Sequence, residues 1–142
     1  MIVVDMQVGL LNGPPKHDLP GVLDRINQLT AMVRRRSGKV LWIQHCGTAG
    51  DDFEPKKPGW SLLPELNRHP TDVVVDFCVD ATVRSSVSHN HHVVVISDAH
   101  TLSDRPHLDA PTVIRHHNWV WANLITTRSI RMATTSELLD EN

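Results

Sequence analysis

The residues best suited to chemistry are a cysteine and a carboxylate, each beside a predicted secondary-structure boundary. Cys78 lies in the run Asp76-Phe77-Cys78-Val79-Asp80-Ala81-Thr82-Val83-Arg84, between a valine-rich strand and a helix marked by valines four residues apart. Backbone N–H groups and the helix dipole favour a thiolate in the first turn of a helix, so Cys78 can act as a nucleophile. The structural alternative is a small buried hydrophobic residue, because free cysteine is among the most buried residue types.

The candidate carboxylate is Asp5, which directly follows the short apolar run Met1-Ile2-Val3-Val4. A run of this kind, closed by a polar residue, predicts a buried parallel strand. Functional groups of open α/β sheets gather at the carboxyl ends of strands, and Asp5 lies at such an end. Without a partner, however, a cap or a loop carboxylate is the favoured interpretation.

The spacing of the histidines in the sequence does not indicate a metal site. His45 and Cys46 end a predicted strand but have no further ligand at a suitable spacing, and His116 and His117 are adjacent and point in different directions. The histidines of the turn 89–92 lie at the end of the sheet opposite to the strand carboxyl ends, so we interpret them as solvated. The sequence therefore predicts no metal and no cofactor.

Composition limits the class of protein. A chain of 142 residues predicts a single domain over 1–142, and its formal net charge of -2 gives no basic surface for nucleic acid. Two cysteines are too few for a disulfide framework, which favours a cytoplasmic location. No apolar run reaches the length of a membrane span, and the first residues predict a strand rather than a signal peptide.

The alternation of strands and helices predicts an α/β fold with a parallel sheet. A loop over residues 44–70, rich in Gly and Pro, follows the second strand, and we expect Trp60 to hold it to the core. The predicted strands are 1–4, 40–43, 73–75, 93–96 and 129–133, and the predicted helices are 22–36, 78–88 and 112–124, with a capped helical turn after Thr134.

Four motifs resemble those of the isochorismatase-like cysteine hydrolases, a superfamily that includes nicotinamidases, ureidoacrylate and carbamoylsarcosine amidases, and isochorismatase. The match runs almost from end to end, and the cysteine run together with the Asp-Met-Gln opening is fairly specific. The resemblance implies a three-layer αβα sandwich with a central parallel sheet and a Rossmann-like topology. The motifs are Val3-Val4-Asp5-Met6-Gln7, Pro58-Gly59-Trp60, the run around Cys78, and Val95-Ile96-Ser97-Asp98-Ala99-His100-Thr101.

The resemblance also implies a catalytic triad of Asp, Lys and Cys, with Asp5 as the base and Cys78 as the nucleophile. In the family mechanism the Asp takes the thiol proton, the thiolate attacks a carbonyl carbon, and water releases the thioester acyl-enzyme. The implied reaction is cleavage of a small amide or a related carbon–nitrogen bond. Gln7 and Trp60, within the matched motifs, are the expected substrate contacts.

The sequence departs from the family between Val75 and Asp76. Family members carry there the catalytic Lys, a crossover helix, a further strand and the turn before the cysteine, whereas here the two residues are adjacent. A crossover unit takes about thirty residues or more. No lysine follows residue 57, and the catalytic role is assigned to none of the four present, which are Lys16, Lys39, Lys56 and Lys57.

Two interpretations of this gap remain open. Either the polypeptide has lost the segment, which would uncover one face of the sheet, or the protein contains it and the sequence at hand omits it. We favour the second, because such a loss of buried surface conflicts with marginal stability. In the first case the protein is a catalytically inactive family member that serves as a binding or oligomeric scaffold. A third hypothesis, a redox-sensing thiol protein, depends only on Cys46 and Cys78.

The subfamily is only partly readable. Nicotinamidases carry an Asp-x-His metal motif after the second strand, where this chain has Gln44-His45-Cys46-Gly47, so a metal-dependent nicotinamidase is disfavoured. An amidase-like hydrolase of a small molecule fits better. We expect a homo-oligomer, a dimer or larger, with Trp119 and Trp121 as candidates for the interface, and neither nucleic acid nor membrane as a partner.

Overall fold

The computed structural model describes residues 1–75 and 79–141 of the 142-residue chain. The segment 76–78, which contains the predicted nucleophile Cys78, lies outside the described residues, as do the side chain of Val75 and the last residue.

The described residues form five strands and five helices, which alternate along much of the chain. The strands are β1 (Ile2–Val4), β2 (Leu41–Ile43), β3 (Val73–Val75), β4 (Val93–Ile96) and β5 (Ile130–Ala133), and the helices are α1 (Val8–Leu11), α2 (Leu19–Arg35), α3 (Val79–Ser88), α4 (Ala110–Ala122) and α5 (Thr135–Asp140).

All strand pairing is parallel in the part of the chain that the structure describes. One compact unit comprises Met1–Pro14 and Ile26–Val79 and contains a three-stranded sheet in the order β1-β2-β3. The other unit comprises Pro15–Arg25 and Asp80–Asn142 and contains the pair β4-β5. Parallel strands joined by helices confirm the predicted α/β class.

The ends of α2 differ slightly from the prediction. The helix begins at Leu19 rather than residue 22, because Pro20 lies in the first turn, where no intrahelical N–H is needed. At the other end the helix stops at Arg35 rather than residue 36, Ser37 adopts the left-handed conformation with φ 58°, and the Gly38 N–H donates to the Val33 carbonyl. This backbone geometry closes the helix as a C-terminal cap.

Each unit has an apolar core built from the helix faces and alternate strand residues. Trp42 of β2 is completely buried in the first unit, and Trp121 of α4, at 4% exposure, is part of the second core. Trp121 therefore does not serve as the interface residue that the sequence suggested, whereas Trp119 is 65% exposed. Residues two apart on a helix face opposite sides, which explains the difference.

A buried carboxylate joins α2, β2 and the start of β3. Asp72, whose side chain is 5% exposed, accepts hydrogen bonds from Arg34 Nη2 at 2.5 Å and from Trp42 Nε1 at 2.8 Å. The His69 N–H donates to the same carboxylate at 3.0 Å. These donors compensate the desolvation of the charge and fix the entry of the chain into β3.

One face of the three-stranded sheet carries an exposed apolar row. The register aligns Ile2 with Leu41 and Leu41 with Val73, so the three side chains point to the same face. Ile2 is 44% exposed and Val73 is 46% exposed, whereas Trp42, on the opposite face, is fully buried. Within the described residues, this face is therefore only partly covered.

None of the described helices is both long enough and apolar enough to cross a membrane.

Replacing Asp72 with Asn should lower the free energy of unfolding near neutral pH by about 1–3 kcal/mol, because Arg34 loses its charged partner. Burial raises the pKa of Asp72, but the hydrogen bonds from Arg34, Trp42 and the His69 N–H outweigh it, so the pKa lies below its ordinary value of 3.8. Since the folded-state pKa is depressed, the stabilisation is present above the unfolded-state pKa and is lost as pH falls through the folded-state pKa.

Urea unfolding of the wild type and of D72N, near neutral pH and in acid below the ordinary carboxyl pKa, measures this difference. Glu65→Gln, which changes an exposed carboxylate of the same unit, is the matched control. It should leave the free energy of unfolding nearly unchanged at both pH values. A stability loss in D72N that stays the same at both pH values would contradict an ionic role for Asp72.

Candidate active site at the carboxyl end of the three-stranded sheet

Asp5 occupies the first position after β1 in a strained backbone conformation. Its φ is 58°, in the left-handed region, although no helix precedes it. The Asp5 N–H donates to the Ile43 carbonyl at 2.8 Å, and the Asp5 carbonyl accepts from the Gln7 N–H at 2.9 Å. The fold thus holds a half-buried carboxylate at the carboxyl edge of the sheet, and strain of this kind is concentrated at functional sites.

Gln7 ties the ends of β1 and β2 to the loop 44–70. Its side chain is 0% exposed. The amide nitrogen donates to the His45 carbonyl at 2.9 Å and to the Trp60 carbonyl at 2.8 Å, and the amide oxygen accepts from the His45 N–H at 2.7 Å. Both amide hydrogens are therefore used inside the protein, so Gln7 is built to position the surrounding backbone.

Trp60 is fixed at both its backbone and its indole. Its carbonyl also accepts from Gln44 Nε2 at 2.6 Å, and its indole N–H donates to Cys46 Sγ at 3.3 Å. Gln44, 3% exposed, and Cys46 are site residues that the sequence did not identify by role. The available signal was a buried strand that ends in a polar residue, Gln44 directly after Ile43.

The loop 44–70 lies close against the short helix α1. The Gly9 N–H donates to the Gly59 carbonyl at 2.9 Å, and the Val8 N–H donates to the Ser61 carbonyl at 2.8 Å. A Cβ atom at Gly9 would lie 2.8 Å from the ring of Phe53 and 3.0 Å from the backbone at Gly59. A side chain at this position would push the loop away, so the approach requires glycine.

Lys57, in the loop 44–70, pairs with a carboxylate of the same loop. Lys57 Nζ lies 3.1 Å from Glu54 Oε2 in an exposed ion pair. The Gly50 N–H and Lys57 together hold the pKa of Glu54 below its ordinary value. This geometry gives Lys57 a role within the loop.

The structure therefore gathers three of the four predicted site residues, Asp5, Gln7 and Trp60, within one unit. The fourth, Cys78, lies outside the described residues. Among the residues that are described, no group of three His, Cys, Asp or Glu side chains is arranged to hold a metal ion.

The fold matches solved proteins of the isochorismatase type. A cysteine hydrolase from Pseudomonas syringae pv. phaseolicola 1448A superposes with a TM-score of 0.83 at 18% identity, over 97% of this chain and 89% of that one. An isochorismatase family protein superposes with a TM-score of 0.80 at 22% identity, over 94% of this chain and 96% of that one. These likenesses confirm the predicted α/β, isochorismatase-like fold.

The chain belongs to the isochorismatase family, because the family's Isochorismatase domain model matches residues 1–76, more than half of the chain. The recognition made from the sequence motifs is thereby confirmed. The matched stretch contains Asp5, Gln7 and Trp60 and ends before Cys78.

The curated relatives are streptothricin hydrolases of Streptomyces noursei. One is 27% identical over 139 aligned residues, which cover 75% of this chain and 50% of the relative, and a second is 25% identical over 75% of this chain and 55% of the relative. The chain thus spans about half the length of these relatives. The 139 aligned positions exceed what 75% of a 142-residue chain can supply, so part of each aligned stretch has no counterpart here.

Replacing Gln7 with Ala should lower the free energy of unfolding by about 2–4 kcal/mol, because the His45 N–H and the carbonyls of His45 and Trp60 lose a shared partner. Thermal and urea unfolding measure the loss. Asn67→Ala, an exposed amide of the same unit, is the control. A Q7A protein as stable as the control would show that Gln7 does not organise this edge.

Proposed function

We propose that this chain is a cysteine hydrolase that cleaves a small amide or a related carbon–nitrogen bond through a thioester acyl-enzyme. Asp5 is the base and Cys78 is the nucleophile. The observation that carries the proposal is the strained, half-buried Asp5 at the carboxyl end of β1, within a stretch that matches the isochorismatase family.

The proposed chemistry starts with transfer of the Cys78 thiol proton to the Asp5 carboxylate. The thiolate attacks the carbonyl carbon, and the tetrahedral intermediate collapses as the amine leaves with a proton. Water then attacks the thioester and releases the acid. Helix α3 begins at the residue after Cys78, and the N–H groups of a helix start favour both a thiolate and a developing oxyanion.

Trp60 is the better of the two proposed substrate contacts. Because its indole N–H is already donated to Cys46, the ring offers a substrate its apolar face rather than a hydrogen bond. Gln7 contributes by holding the Trp60 backbone, since both hydrogens of its amide are used there and at His45. The site therefore suits a small substrate with a flat apolar part beside its scissile bond.

The names of the relatives support hydrolysis as the reaction type. Both curated relatives are streptothricin hydrolases, and one structural neighbour is a cysteine hydrolase. We propose streptothricin, which the relatives' names give, and nicotinamide, an amide that the nicotinamidases of the superfamily cleave, as the first two compounds to assay. A cytoplasmic location, in which thiols stay reduced, and a homo-oligomer with the exposed Trp119 at its interface complete the proposal.

Cys78→Ala should abolish turnover of whichever of the two compounds is hydrolysed. Asp5→Asn should lower kcat by about 10²–10⁴-fold, because the thiol loses its proton acceptor. Ser88→Ala, an exposed change at the far end of α3, is the control and should keep wild-type activity. Turnover by C78A at the wild-type rate would remove the nucleophile assignment.

A second candidate function is a catalytically inactive scaffold, and specific observations favour it. No lysine follows Lys57, the relatives' aligned stretches contain positions absent from this chain, and the row formed by Ile2, Leu41 and Val73 leaves part of one sheet face exposed. A polypeptide that lacks the segment between Val75 and Asp76 would have each of these features. Such a protein would lack the triad lysine and the crossover helix that the family resemblance implies.

A single tryptic peptide decides whether the segment is present. Cleavage after Arg68 and Arg84 gives the peptide 69–84, which spans the junction of Val75 and Asp76. In protein purified from its native source, detection of this peptide at its calculated mass shows that the junction is real and favours the scaffold. Its replacement by larger or additional peptides containing a lysine shows that the segment exists and favours the hydrolase.

Alkylation by iodoacetamide near neutral pH tests activation of Cys78 without a substrate. Mapping of the labelled peptides separates Cys78 from Cys46. A hydrolase should alkylate at Cys78 at least about tenfold faster than an ordinary thiol, whose pKa is about 8.5, and D5N should slow it. An ordinary rate at Cys78 in both proteins would support the scaffold. A disulfide between the two cysteines under mild oxidant would instead support the redox-sensing hypothesis.

A further inference from the structure

A cluster of aromatic and polar side chains in the second unit is unused by the proposed chemistry. Trp121 of α4 is its centre. The His100 ring lies 5.2 Å from the Trp121 ring, centroid to centroid, at 46°, and the His117 ring lies 5.4 Å from it at 37°. His100 follows β4 at its carboxyl end, so the cluster joins the end of that strand to α4.

Three polar atoms, two in the cluster and one on Asn118, which follows His117 in α4, are buried without a hydrogen-bond partner among the described residues. They are His100 Nε2, His117 Nδ1 and Asn118 Oδ1. The other end of the Asn118 amide donates to the Ser97 carbonyl at 2.9 Å, which anchors that side chain. A neutral imidazole tolerates such surroundings at modest cost, whereas an imidazolium has an additional N–H and a charge that both need compensation.

Trp121 connects the cluster to the first turn of α3. Its indole N–H donates to Asp80 Oδ1 at 3.0 Å, and Asp80 Oδ2 accepts from Arg84 Nε at 2.9 Å. A carboxylate in the first turn stabilises a helix start through the dipole, so the position of Trp121 bears on how firmly that turn is held.

We propose that His100 is a proton-sensitive contact, which when neutral packs against Trp121 and preserves the Trp121–Asp80 hydrogen bond, and which when protonated leaves Trp121 and loosens the first turn of α3. The proposal concerns the second unit alone and does not depend on the proposed hydrolase function.

The charged groups around His100 decide the direction of the effect. The pKa of His100 lies at about 4, because burial lowers it most, His117 adds to the lowering, and the neighbouring Asp98 opposes both. Asp98 is itself engaged, since its Oδ1 accepts from the N–H and the hydroxyl of Thr135, and its carbonyl accepts from Arg25 Nε at 2.6 Å. Asp98 therefore offsets only part of the cost of protonating His100.

The pH window follows from the sign of this pKa change. The folded-state pKa lies below the ordinary 6.5, so the opened or unfolded protein binds the proton first, and stability falls as pH drops from 6.5 towards 4. Between pH 8 and pH 5 the unfolding equilibrium constant should rise about thirtyfold from this group. Arg84 and Trp121 hold the pKa of Asp80 below its ordinary 3.8, so Asp80 stays charged throughout the window.

Two measurements on the full chain test the proposal. NMR follows the His100 ring and the Trp121 indole N–H through an acid titration, and urea unfolding gives the pH dependence of stability. In the wild type, both His100 and the indole signal should change with a midpoint well below 6.5. H100Q, which cannot gain a proton, should lack the thirtyfold pH term, and H117Q should move the midpoint upward because His117 lowers the pKa of His100. His91→Gln, in an exposed turn, is the control and should match the wild type.

Three results would each overturn the proposed role of His100. Titration of His100 near 6.5, or an indole signal that stays constant while His100 titrates, overturns the proposal. If H100Q is too unstable to unfold cooperatively, the wild-type and H117Q titrations alone decide the matter, since the upward midpoint shift is required in any case. Retention of the full pH dependence in H100Q also overturns the proposal, because the proton would then bind elsewhere.

Discussion

The organisation of the candidate site depends on one fully buried amide. Gln7 bonds to both backbone groups of His45 and to the carbonyl of Trp60, so a single side chain fixes the end of β1, the end of β2 and the loop that follows. In a buried environment an amide with satisfied partners is rigidifying, and the same amide with any partner missing is costly. The positions of the three segments are therefore coupled through Gln7. Asp5, two residues before Gln7, is held in place by the same arrangement.

Much of the fold was legible from sequence because its signals are local. Buried parallel strands read as short apolar runs, and the apolar spacing in α2 and α4 marked those helices to within a few residues. The short helix α1 was not predicted. Its N–H groups at Val8 and Gly9 bond to carbonyls about fifty residues away, so the contacts that hold it have no local sequence signature.

The site was predictable only in part, for the same reason. Asp5 could be found because strand ends collect functional groups and because its motif resembles a known one. The bonds of Trp60 to Gln44 and Cys46 arise from the path of an irregular loop, which composition alone does not determine. The same holds for the cluster around Trp121, because no local sequence signal indicates that the half-buried His100 and His117 both pack against that indole.

The inward position of the Asp72 carboxylate, which holds the start of β3, has a consequence for the exposed edge of that strand. In the described three-stranded sheet β3 is an edge, and Val73 and Val74 are both substantially exposed on it. Proteins commonly protect such edges with charges, since an open strand is a template on which a strand of another molecule can add. Asp72, the charged residue that directly precedes β3, is turned inward to Arg34 and Trp42. The Asp72 carboxylate thus stabilises the interior of the protein, and the same charge does not also protect the strand edge against aggregation.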